Sequence, residues 1–408
     1  MQTSSSCYLR SYSNEDSEQE CHNSRSASFS SLPSLPRVHN LTNSNQQSPI
    51  SNTLSHCITT LTGHTSYIFS LTLAGKFLYT GSSDNEIRVW KRNPFSYEAG
   101  DENHANNVVA VGKSAVKSLA VLTNQLFSAH QDCKIRVWKI KTQEPPKNIK
   151  YEKIATLPKL IDRTVKLINP NNQVEFRRHK KCTWVHHVDT VSALVLSRDQ
   201  SLLYSVSWDR TLKVWRTSDF KCLESISNAH DDAINAVTVS YDGDVYTGSA
   251  DRKIKVWRKP SGYKKHTLAS TLEKHTSGIN ALALSPDGLL LYSGACDRSI
   301  LVWEKNSHDE SIELLGALRG HTKAILCLAT VDDLVCSGSA DKTVRVWRGV
   351  QNNYSCLAVL EGHQGPVKCL IAAADAYCPH NNTSSSNYIL YSGSLDCDIR
   401  VWQVLVSK

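Results

Sequence analysis

One short pattern recurs seven times along this chain, and a repeating chain buries its core by stacking each unit against the next. Seven segments end in apolar-x-apolar-Trp, the tryptophans being Trp90, Trp138, Trp215, Trp257, Trp303, Trp347 and Trp402. Six residues before each lies an aspartate: Asp84, Asp132, Asp209, Asp251, Asp297, Asp341 and Asp396. Four residues before each aspartate lies a hydroxyl: Thr80, Ser128, Ser205, Thr247, Ser293, Ser337 and Ser392. The alternating β-branched runs that carry the tryptophans read as strands. Upstream of six aspartates sits a histidine in a Gly-His-like setting: His64, His187, His230, His275, His321 and His363. The second repeat has Gly112 at that place.

On these residues the chain resembles the WD-repeat family, from residue 57 to about residue 404. The resemblance implies an all-β fold, a closed seven-bladed β-propeller of four-stranded blades. It also implies a role for the repeated polar set. The turn aspartate accepts from the histidine, the histidine bonds the strand hydroxyl, and the hydroxyl reaches the tryptophan indole. A buried carboxylate without such partners costs more than an unpaired neutral polar group, for which the penalty is roughly 2–7 kcal/mol. The set looks like a hydrolase triad, but it recurs around the ring, so it reads as structural, with no catalytic residue, metal or cofactor. Without its histidine, blade 2 is expected to be the least rigid. The pattern departs from the family's dipeptide: no signature tryptophan is followed by aspartate.

Closure follows from the order of strands. The chain reaches its last signature strand at Trp402, so the seventh blade lacks its fourth strand. Cys57-Ile58-Thr59-Thr60-Leu61 resembles Cys356-Leu357-Ala358-Val359-Leu360 and is expected to complete blade 7. That removes an open sheet edge. The propeller is then residues 56–408. Residues 1–55, with 16 serines and few apolar residues, are expected to be a disordered tail open to phosphorylation at Ser48-Pro49 and around Ser26 and Ser28.

Composition excludes other classes. No run of 18 apolar residues is present, and the start lacks a basic and then apolar leader, which points to cytoplasm and nucleus. The 13 cysteines include no Cys-x-x-Cys pair and read as small buried hydrophobes rather than disulfides or zinc ligands. Gly112-Lys113-Ser114 has no first glycine for a phosphate loop, since residue 107 is Asn. Asn381 and Asn382 match a glycosylation pattern without meaning inside a cell.

Irregularities mark the candidate binding sites. The signature tryptophans are 48, 77, 42, 46, 44 and 55 residues apart. The largest excess is an insert of about 158–182 between blades 2 and 3, with strand d of blade 2 near 151–157. Its Arg177, Arg178, Lys180 and Lys181 form a basic loop suited to an acidic peptide, a phosphate or RNA. In the family, top-face contacts come from the residue before the turn aspartate and from those three and five after the histidine. On this sequence those places hold Tyr67, Phe69, Lys117, Trp208, Leu326, Lys368 and Leu395. Aromatic and basic residues together suit a peptide with apolar anchors and acidic flanks, and Trp is enriched at hot spots.

Ser31-Leu32-Pro33-Ser34-Leu35-Pro36, Val174-Glu175-Phe176-Arg177-Arg178 and Val185-His186-His187-Val188 resemble plant Jingubang-type WD-repeat proteins. That resemblance implies a regulator of pollen germination. The expectation is a monomeric, non-enzymatic scaffold or adaptor that binds other proteins, a transcriptional regulator among them, with no membrane and no general nucleic-acid role. Two alternatives are a ubiquitin-ligase substrate receptor and an RNA-binding propeller. The first would need Trp-Asp-x-Arg; the single Trp208-Asp209 pair precedes its strand and has Thr211 where the Arg belongs.

Overall fold

The computed structural model describes residues 38–42, 53–92, 107–142, 149–159, 173–177, 180–260, 262–306, 309–350, 353–375 and 385–407. Seven four-stranded antiparallel sheets make up the molecule, with a two-stranded hairpin beside them. Within each blade the strands are labelled a to d. Strands a of successive blades touch one another around the ring, blade 7 against blade 1, so they line the axis and strands d lie outermost. Strands a to d occupy residues 68–111 in blade 1, 116–157 in blade 2, 191–226 in blade 3 and 234–272 in blade 4. Blade 5 takes residues 279–318, blade 6 residues 325–360, and strands a to c of blade 7 residues 367–407.

The core is seven clusters, one in each gap between neighbouring blades. In the gap between blades 7 and 1, Leu61, Ile68, Leu78, Trp90, Ile399 and Val401 pack together. That gap is sealed by the strand Leu54–Leu61, which pairs antiparallel with strand c of blade 7. Its register repeats that of blade 6: Cys57 faces Trp402 as Cys356 faces Trp347, each with a bulge beside the tryptophan's partner. Likeness of the two sequences thus reflects an identical seat in the sheet.

Two boundaries differ from expectation. The closing strand begins at Leu54, inside the segment read as a coreless tail. Further back, Val38–Thr42 is also seated on the propeller, with Leu41 only 7% exposed. A single leucine in a polar stretch does not register in composition, but it needs only one matching hole. Residues 1–37 and 43–52, with Ser26, Ser28 and Ser48, lie outside the described residues. In the insert, strand d of blade 2 spans Ile149–Leu157, and the basic stretch is a hairpin of Gln173–Arg177 and Lys180–Thr183 rather than a loop. Arg177 and Lys181 fall on its strands; Arg178 and the asparagines at 381 and 382 lie outside the described residues.

Candidate functional site: the mouth of the channel

In six blades the polar set forms the chain of bonds that the repeat implies. His64 Nδ1 lies 2.7 Å from Asp84, His64 Nε2 2.8 Å from Thr80 Oγ1, and Trp90 Nε1 3.0 Å from the same hydroxyl. Blade 5 matches it through His275, Asp297, Ser293 and Trp303, and blade 7 through His363, Asp396, Ser392 and Trp402. Blades 3, 4 and 6 repeat it with His187, His230 and His321. Every proton finds an acceptor when Nδ1 carries the ring proton that faces the aspartate. Nδ1–H then donates to the carboxylate, the hydroxyl donates to Nε2, and the indole N–H donates to the hydroxyl oxygen. Burial alone would raise the carboxyls of Asp84, Asp251 and Asp297. The histidine and the backbone N–H donors outweigh it and hold all three below the ordinary carboxylate range. Glu86 completes a metal-like trio with His64 and Asp84, but it is engaged by Arg88 at 2.8 Å.

The aspartate also shapes its turn. Its second oxygen accepts from the N–H two residues on, as Asp84 does from Glu86 at 2.8 Å and Asp341 from Thr343 at 3.1 Å. The residue between is left-handed in all seven blades: Asn85, Cys133, Arg210, Arg252, Arg298, Lys342 and Cys397 have φ from 64° to 73°. A non-glycine residue in that region costs about 1–2 kcal/mol, which the aspartate's bonds offset in the six blades with a loop histidine.

Blade 2 solves the same problem differently. His130, two residues after Ser128 on strand b, bonds Ser128 Oγ through Nε2 at 2.8 Å, and Trp138 donates to that hydroxyl at 2.9 Å. Its other nitrogen reaches the Ser114 carbonyl at 3.2 Å. A Cβ on Gly112 would sit 3.3 Å from the His130 ring, so the missing loop side chain is what makes room. Asp132, freed from a histidine, pairs with Arg136 at 2.5 Å. The expectation that blade 2 lacks its histidine is therefore corrected: an imidazole is supplied from strand b instead of the loop. Burial, then the charge of Arg136, lowers the His130 imidazole to about 4, so it is neutral at pH 7.

The three top-face places in each blade are adjacent. The N–H of the residue before the aspartate bonds the carbonyl three after the histidine position: Trp208 to Thr190 at 3.1 Å, Ser83 to Tyr67 at 2.9 Å, Leu395 to Pro366 at 3.0 Å. Five after the histidine, strand a carries a bulge in every blade. The bulged residues are Phe69, Lys117, Ser192, Asn235, Asn280, Leu326 and Lys368. A bulge frees its residue from the ladder and re-aims the side chain.

These seven side chains divide into two arcs. In blades 3 to 5, each ties to the carbonyl before the next bulge: Ser192 to Ile234 at 2.5 Å, Asn235 to Ile279 at 2.9 Å, Asn280 to Ile325 at 2.8 Å. The residues in blades 6, 7, 1 and 2 are Leu326, Lys368, Phe69 and Lys117, which carry no such link. Leu326 is 7% exposed and belongs to the core, so it offers little to a partner. Lys117 Nζ stands 3.6 Å above the Phe69 ring and 5.8 Å from that of Trp208. Tyr67, 42% exposed, meets Phe69 edge-on at 6.4 Å. Burial, then the nearby charge of Lys368, pulls the Lys117 ammonium down to about 8. Burial lowers Lys368 as well. The structure thus gathers Tyr67, Phe69, Lys117 and Trp208, brings Lys368 within electrostatic reach, leaves Leu395 partly exposed in its turn, and withdraws Leu326.

The family description "WD domain, G-beta repeat" matches residues 55–91, 179–216, 220–258, 266–304, 312–348 and 354–403. The chain belongs to the WD-repeat family. The unmatched stretch contains blade 2, whose histidine comes from strand b. Among similar proteins, "Small ribosomal subunit protein RACK1" of Drosophila melanogaster is 38% identical over 25% of this chain and 31% of its own length. "Ribosome biogenesis protein ytm1" of Emericella nidulans is 26% identical over 50% of this chain and 42% of its own. "Protein Notchless" of Drosophila melanogaster is 28% identical over 46% and 36%. This WD-repeat chain therefore spans about a third to just under half the length of these relatives. Its fold is a typically non-enzymatic scaffold.

Proposed function

We propose that this WD-repeat protein is an adaptor that takes a partner's peptide at the channel mouth over blades 7, 1, 2 and 3. The observation that carries the reading is Lys117, set between Phe69 and Trp208 and facing the charge of Lys368. Among the described residues, neither lysine forms an ion pair. Two cations held together without a counter-charge are unfavourable until an anion joins them. Aromatic rings on either side supply apolar contact area that rewards a desolvated anchor. The fitting partner is a peptide with an acidic residue flanking an aromatic or aliphatic one. The finer role, a plant regulator of pollen germination acting in cytoplasm and nucleus, rests on the short Jingubang-like stretches alone.

The test is quantitative affinity capture with wild type beside Trp208→Ala and Lys117→Glu. Partners bound at the mouth should fall at least tenfold in both, a loss of about 1.4 kcal/mol or more, while the far-ultraviolet spectrum stays that of the wild type. Partner sets that are unchanged in both variants would sink the proposed mouth site.

The basic hairpin favours a second reading, because Arg177, Lys180 and Lys181 lie on it and two of the similar proteins carry ribosomal names. An RNA role predicts association that weakens steeply with salt. Arg177→Glu with Lys181→Glu should abolish it and leave capture at the mouth intact.

A further inference from the structure

Val38–Thr42 lies along the outer edges of blades 5 and 6, far in sequence from both. Strand d of blade 5 offers a free edge at Ala317. The Ala317 N–H donates to the His39 carbonyl at 2.8 Å, and the Leu41 N–H donates to the Ala317 carbonyl at 2.9 Å. Blade 6 adds the Tyr354 N–H, which donates to the Leu41 carbonyl at 3.1 Å. Arg319 reaches the Val38 carbonyl at 3.2 Å. The backbone of the segment is thus held as an added strand, a common mode of peptide recognition.

Side-chain selection comes from one hole. Leu41 packs with Tyr292, Leu318, Val335, Trp347 and Tyr354. The hole exists because blade 5 has Gly316 opposite the middle residue of its signature strand, Val302. The same register position holds Ala155, Glu224, Ser270, Ala358 and Thr59 in blades 2, 3, 4, 6 and 7. A Cβ on Gly316 would stand 2.6 Å from Leu41 Cγ and 2.8 Å from the His39 carbonyl oxygen. The three atoms nearest to that Cβ all belong to the docked segment, not to the propeller.

We propose that this cleft is a peptide-docking site for an extended segment with a single leucine anchor, and that the chain closes it in cis with its own Val38–Thr42. The site lies on the rim, apart from the channel mouth, and stands or falls independently of the mouth reading. A short tether supplies an effective concentration of about 1 mM, so a segment held in cis binds with a dissociation constant below about that value. The latch fixes the chain at Val38 to the rim between blades 5 and 6. Displacing it opens the site.

The experiment uses the full chain carrying Leu41→Asp, which empties the cleft, and a fluorescent synthetic peptide of residues 36–45. Saturable one-to-one binding below about 1 mM is expected, weakened more than about tenfold when the peptide carries Leu41→Ala. Adding Gly316→Ala to the receptor should abolish binding without changing its thermal unfolding. The wild-type chain, already latched, should bind the peptide several-fold more weakly. In the full chain, Gly316→Ala alone should speed hydrogen exchange at the Leu41 and Tyr354 amides. No saturable binding to the emptied chain overturns the proposal, as does equal binding with and without Gly316→Ala.

Discussion

Blades 3 to 5 and blades 6 to 2 carry the same bulge at the same place and use it for opposite ends. In the first arc, Ser192, Asn235 and Asn280 spend their polar atoms on the next blade's carbonyl, so the bulge is a rivet between blades. In the second, Lys368, Phe69 and Lys117 leave that bond unmade and bring charge and ring surface to the mouth. The backbone is common; only the side chain decides whether a blade spends its bulge on stability or offers it to a ligand. Blade 2 goes furthest, since its loop histidine is replaced from strand b and its aspartate pairs with Arg136.

The largest test compares a turn aspartate held by a loop histidine with the one in blade 2 that is not. Asp297 is fully buried and accepts from His275, Thr276 and Ser299. Asp297→Ala strands these donors and should cost about 3 kcal/mol or more in urea unfolding. Asp132 is quarter-exposed and accepts two bonds from the buried Arg136, so Asp132→Ala should cost less, about 1–2 kcal/mol. Equal losses would erase the distinction between blade 2 and the blades that keep a loop histidine.

Next come the bulges. Asn280→Ala removes the bond to Ile325 and should cost about 1–2 kcal/mol. Lys117→Met should instead raise the melting temperature at pH 7.5. The sign follows from linkage. Folding lowers the Lys117 value from 10.5 to about 8, so the penalty on the charged form is complete below pH 8 and fades as pH rises toward 10.5. Wild type should therefore close the gap to Lys117→Met between pH 8 and 10. A gap that ignores pH means Lys117 is not strained by its setting.

The smallest effect is a control that ought to ignore the arcs. Lys342→Gly in blade 6 and Arg252→Gly in blade 4 relieve exposed left-handed residues, and each should gain about 0.5–1 kcal/mol. Unequal gains would show that turn geometry, not only the bulge, differs between the arcs.

Much of the fold is legible in the chain because the repeated bonds are short in sequence. Thr80, Asp84 and Trp90 sit within one hairpin, and His64 lies just upstream, so their spacing survives in every blade. The closing strand is legible for a related reason: Cys57–Leu61 must fit the seat that Cys356–Leu360 fits. At the mouth, spacing from the loop position and the turn aspartate picks out Tyr67, Phe69, Lys117 and Trp208, which lie together, but also Leu326, which is buried, because spacing does not report burial. His130 escapes notice although the signal is present: a histidine stands where five other blades have serine at residues 82, 207, 249, 339 and 394.

By itself the sequence determined the number of blades, the polar set that pins six of them and the strand that closes the ring. Each follows from a pattern repeated at fixed local spacing. Tertiary structure alone decided the imidazole swap in blade 2, the division of the bulges and the seat of Val38–Thr42 on blades 5 and 6. These depend on groups brought together across blades, or across a separation as great as that between Thr42 and Arg319. There a single leucine and a single absent Cβ settle the outcome, and neither leaves a period to be read.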